Sequence, residues 1–97
     1  MKKTLRTPSV DQLFAAILNL KTEDECYAFF EDICTIHEIQ SLAQRFEVAG
    51  MLQKGITYSE IAAKTGASTA TISRVNRSIN YGEGGYKTVI ERLGEEK

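Results

Sequence analysis

The stretch TYSEIAAKTGASTATISRVNRSI, residues 57–79, constrains this chain more than any other. Thr57 followed by Glu60 makes a T-x-x-E capping box, in which a hydroxyl and a carboxylate satisfy amides left unpaired at a helix start. Ile61, Ala62 and Thr65 fall on one face of the helix that follows, with Lys64 turned outward. Gly66 stands where a chain leaving a helix takes a left-handed conformation, which costs glycine nothing. Ser68 can cap a second helix, 68–79, and Ile72, Val75 and Ile79 supply its inner stripe at spacings of three and four. Ala62 is small, so the second helix can cross the first closely. The spacing predicts a helix-turn-helix over 57–79.

The outward positions of the second helix are Ser68, Thr69, Ala70, Thr71, Ser73, Arg74 and Arg77. Ser59 and Lys64 extend that surface onto the first helix. These residues are small, hydroxylated or basic, which suits a helix entering a major groove. Bulk is excluded there, and hydroxyls and guanidinium groups can bond phosphates or base edges. No Asp or Glu occurs between Glu60 and Glu83, whereas Lys64, Arg74 and Arg77 do. The bland alternative is a helical hairpin that serves only as core. The local charge and the small outer side chains favour a DNA-reading surface made of all nine residues.

A chain of 97 residues is expected to form one domain, near the lower end for a self-sufficient core. Its formal net charge of −1 argues against indiscriminate nucleic-acid binding but not against a reader with its cations on one face. No apolar run approaches the roughly 18 residues that cross a bilayer, and the first residues lack a signal-peptide pattern. A reduced, cytoplasmic protein is expected.

Before the helix-turn-helix, Lys2, Lys3 and Arg6 suggest a frayed basic arm. Thr7 and Pro8 open a first helix running to about Lys21, with Pro8 at the position where a missing N–H costs nothing. Thr22 and Glu25 open a second helix whose Cys26, Tyr27, Phe29, Phe30, Ile33 and Cys34 are expected to be core. Thr35 and Glu38 start a third, about 36–54, with Ile36, Ile39, Leu42, Ala43, Phe46, Ala49 and Leu52 inward and Gly55 at its end. After the reading helix, residues 80–86 read as a glycine-rich hinge. A last helix over about 86–93 places Val89, Ile90 and Leu93 together, and the final charged residues read as loose. No stretch has strand character, so the chain reads as all-α. Residues 7–55 are assigned to dimerisation helices, 57–79 to the helix-turn-helix and 80–93 to the hinge and last helix.

Little else in the chain can carry chemistry. Cys26 and Cys34 lie about 12 Å apart along one helix, too far for a disulfide within the chain. With His37 they offer three metal-ligand groups at wide spacing, where zinc sites usually want four at close spacing, so they read as small core hydrophobes. One histidine does not assemble a nucleophile and its base. The glycines of 82–85 are not a phosphate loop, since Tyr86 separates them from Lys87 and no strand precedes them. The chain is not expected to be an enzyme, and no cofactor or metal is called for.

Short connections between the first three helices leave little room to fold back into a compact bundle. Intertwining with a second copy would bury their apolar faces. It would also supply the two-fold symmetry with which such readers engage half-sites about 34–36 Å apart.

The order of long helix, glycine, TYSEIAAKTGAS and TATISRVNRSI resembles the tryptophan-repressor family, and INYGEGGYK resembles its YerC/YecD branch. The resemblance covers about Val10 to Leu93 and is most specific from Glu60 to Lys87. It implies six helices, an intertwined homodimer and repression of transcription by operator binding. It also assigns corepressor contacts to the matching residues Thr35, Arg45, Arg74 and Ser78. Val75, however, stands where the repressor has a glycine lining its indole pocket. A β-branched side chain there removes depth from a close-packed wall. L-tryptophan is therefore not expected to bind, leaving DNA binding without a ligand or with a different, smaller one. The contrasting function is a protein-interaction module using the helix-turn-helix surface or the aromatic second helix. A DNA reader is distinguished by affinity that falls steeply with salt.

Overall fold

A computed structural model describes residues 5–95. Lys2, Lys3 and the last two residues, Glu96 and Lys97, which the sequence assigns to a basic arm and a loose charged tail, lie outside the described residues. The described residues form six helices: α1 Pro8–Ile17, α2 Glu23–Ile33, α3 Ile36–Gln53, α4 Tyr58–Thr65, α5 Thr69–Tyr81 and α6 Gly85–Glu95. They are grouped in two compact units, one through Ile36 and one from His37.

In the first unit the caps follow the sequence. The Thr7 hydroxyl accepts the Val10 amide with Pro8 in the first turn, and the Thr22 hydroxyl accepts the Glu25 amide at 3.0 Å. Two expectations fail here. Helix α1 stops at Ile17 rather than Lys21, because the chain tightens into bonds from Asn19 N to Ala16 O and Leu20 N to Ile17 O, while Asn19 Nδ2 takes the Ala15 carbonyl. The first unit also contains no buried residue among those described. Phe29 and Phe30 meet edge to face at 5.5 Å, but Tyr27, Ile33 and Cys26 are exposed and Cys34 is half-buried. Two short helices have too little facing surface to enclose each other's apolar stripes.

The core lies in the second unit. Val48 and Ala49 of α3, Ile61 of α4, Ala67 of the turn, and Ile72 and Val75 of α5 are buried together. Met51, Leu52, Ile56, Ala62, Ile79, Tyr86 and Ile90 pack around them. The end of α3 shows how local sequence fixes this geometry. Gly55 has φ of +78°, Gly55 N donates to Leu52 O at 3.0 Å, and Ile56 N donates to Met51 O at 3.1 Å. This double bond pattern is the Schellman motif, and its customary apolar pair is Met51 with Ile56, both packed on the core.

Helix α3 departs from expectation in which side it buries. Ala49 and Leu52 pack inward as the periodicity predicts, joined by Val48, which the sequence stripe left out. Ile36, Leu42 and Phe46 are 72, 48 and 36 % exposed, and Ala43 is exposed too. Apolar positions cover more than half the circumference of this helix, and α4 and α5 occupy only one side of it.

Candidate nucleic-acid interface

Helices α4 and α5 are built as their caps dictate. Glu60 N donates to Thr57 Oγ1 at 3.3 Å, and that hydroxyl donates in turn to the Glu60 carboxylate. Gly66 ends α4 with φ of +75°, its amide bonded to the Ala62 carbonyl at 2.9 Å. The Thr65 hydroxyl donates to Ile61 O at 2.7 Å and accepts from Ala67 N at 3.1 Å, so this one side chain ties the end of α4 to the turn. Ser68 Oγ then accepts the Thr71 amide at 3.1 Å and starts α5. Ile61 and Ile72 are fully buried and Val75 is 2 % exposed, so α5 is clamped along its inner stripe.

That clamp decides which residues face out. Ser59 and Lys64 on α4 are exposed, as are Thr69, Ala70, Ser73, Arg74 and Arg77 on α5 and Ser68 at its cap. Thr71 is the exception to the outward assignment. It is half-buried, and its hydroxyl accepts from Ser68 Oγ at 3.1 Å, because it lies one turn before Val75 on the flank of the inner stripe. At 100° per residue, Ala70, Ser73, Arg74 and Arg77 gather on the side of α5 opposite Ile72, Val75 and Ile79. The face carries two guanidinium groups, small side chains and no carboxylate.

Helix α5 continues two residues past the expected end, through Asn80 and Tyr81. The hinge therefore shrinks to Gly82–Gly84, and α6 starts at Gly85. Gly82 N bonds Ser78 O, and a Cβ at Gly82 would run into that same carbonyl, so only glycine lets the chain leave α5 this closely. The extension puts Tyr81, 85 % exposed, on the outer side of α5 one turn beyond Arg77. Sequence reasoning missed this residue because it stopped α5 at its last core position.

Residues 8–94 match the sequence profile of the family described as Trp repressor protein. The chain belongs to the Trp repressor family. It is 59 % identical over 91 residues to the uncharacterized protein YerC of Bacillus subtilis, a match covering 94 % of this chain and 88 % of that protein. It is also similar to a crystal structure of a TrpR-like protein from Eubacterium eligens, with a TM-score of 0.90, 69 % identity and 93 % of both chains covered. A structure described as a candidate Trp repressor from Staphylococcus aureus matches with a TM-score of 0.90 and 51 % identity, over 93 % of this chain and 90 % of that one. The six-helix Trp-repressor-like fold expected from the sequence is thus present.

Within this member of the Trp repressor family, the four residues matched to corepressor contacts divide between the units. Thr35 belongs to the first, and Arg45, Arg74 and Ser78 belong to the second. Arg45 is half-buried on α3, whereas Thr35, Arg74 and Ser78 are exposed. Val75 points into the core among Val48, Ala49, Ile61 and Ile72 rather than lining open space. Among the described residues no helix is long and apolar enough to cross a membrane.

Proposed function

We propose that this Trp repressor family member is a DNA-binding transcriptional regulator, a repressor, that reads operator half-sites with the outer face of α5. The observation that carries this reading is the clamped α5. Its buried Ile72 and Val75 fix the helix on α3 and α4, and Arg74 and Arg77 are thereby held outward on an acid-free surface. Ser59, Ser68 and Thr69 lie at the helix starts and Lys64 in the last turn of α4, where hydroxyls, backbone amides and an ammonium can take phosphate oxygens. Ala70, Ser73, Arg74 and Arg77 supply the contacts inside the groove, and half-buried Thr71 holds the Ser68 hydroxyl that donates to it.

The working species in this reading is a homodimer. The exposed Ile36, Leu42 and Phe46 side of α3, and a first unit with no buried residue among those described, are apolar surfaces that a second copy would cover. Two-fold symmetry then presents two α5 helices to two half-sites.

Arg74→Ala and Arg77→Ala test the reading face. Both are exposed, so the fold should survive each change. Loss of a bidentate base contact costs about 1–3 kcal/mol on a specific duplex alone, and loss of a phosphate contact weakens specific and random duplexes alike. Fluorescence anisotropy on a fragment selected from genomic DNA and on a random duplex separates the two roles. Unchanged affinity in both variants would remove the proposed face.

L-tryptophan should leave DNA affinity unchanged. Val75 is committed to the core, and an overpacked contact against a flat indole costs about 1–3 kcal/mol, roughly ten- to a hundredfold in affinity. Calorimetric titration with L-tryptophan is expected to show no saturable micromolar heat. A signal near one ligand per chain would contradict the role given to Val75, and Thr35, Arg45, Arg74 and Ser78 would be its first candidates.

A further inference from the structure

Within the turn the Thr65 hydroxyl joins Ile61 O to Ala67 N, and Gly66 N bonds Ala62 O. The Thr65 carbonyl, at the end of α4, accepts a hydrogen bond from Gln44 Nε2 at 3.1 Å, across 21 residues of sequence. Gln44 is half-buried on α3, one residue before Arg45 and one helical turn before Val48. Thr65 is the last residue before the left-handed Gly66, and Ser68, three residues on, is the cap that starts α5. Gln44 therefore holds the turn by a directional bond at the point where α4 hands the chain to α5. The apolar core cannot do this, because burial has no preferred direction and allows one helix to slide or roll on another.

We infer that Gln44 is a positioning residue for the reading head. It sets the place of the turn, and through it the placement of Ser68, Thr69 and Ala70, without touching DNA. This inference rests on the reading of α5 given above and adds the part of α3 that aims it. The bond lies beside an open groove lined by Gln40, Ala43, Phe46, Glu47 and Thr65. Water can reach the Thr65 carbonyl along that groove and replace the lost donor. Removing Gln44's donor should consequently cost little stability. What is lost is the fixed distance from α3 to the turn, which water does not hold.

The test compares Gln44→Met, which keeps length and loses the donor, with Gln44→Lys, which restores a donor able to reach the carbonyl. Affinity is measured on a fragment selected from genomic DNA and on a random duplex. In Gln44→Met the ratio of specific to random affinity is expected to fall roughly tenfold, the equivalent of about 1.4 kcal/mol, with the melting temperature moved by a few degrees at most. Gln44→Lys should recover the ratio, while its added charge raises affinity for both duplexes. An unchanged ratio in Gln44→Met, beside a parent that discriminates, overturns the positioning role and leaves the DNA-reading function standing. A parent that does not discriminate counts instead against the function. The positioning role is then decided by amide hydrogen exchange, which should quicken at the bonded amides of Gly66, Ala67 and Thr71 in Gln44→Met and stay unchanged at Val48 and Ile72. Equal exchange at the turn in both proteins overturns it.

Discussion

Ile72→Ala is expected to destabilise the protein by about 2–5 kcal/mol, a large part of what a domain of this size possesses. Ile72 is fully buried where α3, α4 and α5 meet, among Val48, Ala49, Ile61 and Val75. Three of these neighbours are β-branched and stiff at χ1, so they relax poorly into a cavity, which puts the cost toward the upper part of that range. Urea denaturation of the parent, Ile72→Ala and the surface control Thr69→Ala measures it. Thr69 is exposed on the outer side of the same helix, and its loss should stay within about 0.5 kcal/mol. Similar midpoints for Ile72→Ala and Thr69→Ala would mean that α5 is not held by its inner stripe.

Leu42→Asp is expected to dissociate the proposed homodimer. In the single chain Leu42 is 48 % exposed, so a monomer would accept a carboxylate there with little consequence. In a dimer that covers the Ile36, Leu42 and Phe46 side of α3, each copy loses the burial of a leucine, about 1.5–3 kcal/mol, and must also desolvate a charge. Two copies per dimer make this roughly a hundredfold or more in the association constant. Sedimentation at low micromolar concentration should show about twice the chain mass for the parent and the single mass for Leu42→Asp. The parent's melting temperature should rise with protein concentration, as mass action requires when subunits fold together. A parent that sediments as a monomer at every concentration would refute the dimer.

The parts of this fold that could be read in advance are those fixed by near neighbours. Thr7, Thr22, Thr57 and Ser68 cap their helices through an amide three residues on, and Gly66 takes the left-handed turn conformation. These depend on a few consecutive residues, so the letters contain the whole interaction. The inner stripe of α5 was legible for the same reason, and its outer face followed as the complement. Helix α3 was harder because its apolar residues surround much of the axis. Periodicity finds the widest stripe but not which neighbour occupies which side, so it favours Leu42 and Phe46, which are exposed, over Val48, which is buried. The end of α1 depended on the Asn19 side chain turning back to Ala15, and the end of α5 on the close pass of Gly82 by Ser78. The bond from Gln44 to Thr65 joins residues far apart in sequence and leaves no local pattern at all.

The most direct measurement of the central claim is the affinity of the parent protein for a fragment selected from genomic DNA and for a random duplex, followed through a series of salt concentrations. A reader that uses Lys64, Arg74 and Arg77 from each of two copies predicts tighter binding to the selected fragment. Log affinity should then fall linearly with log salt at a slope of about −0.9 for each phosphate contact. Equal, salt-insensitive affinity for the two duplexes, or none for either, would contradict the account of α5 as the element that reads DNA.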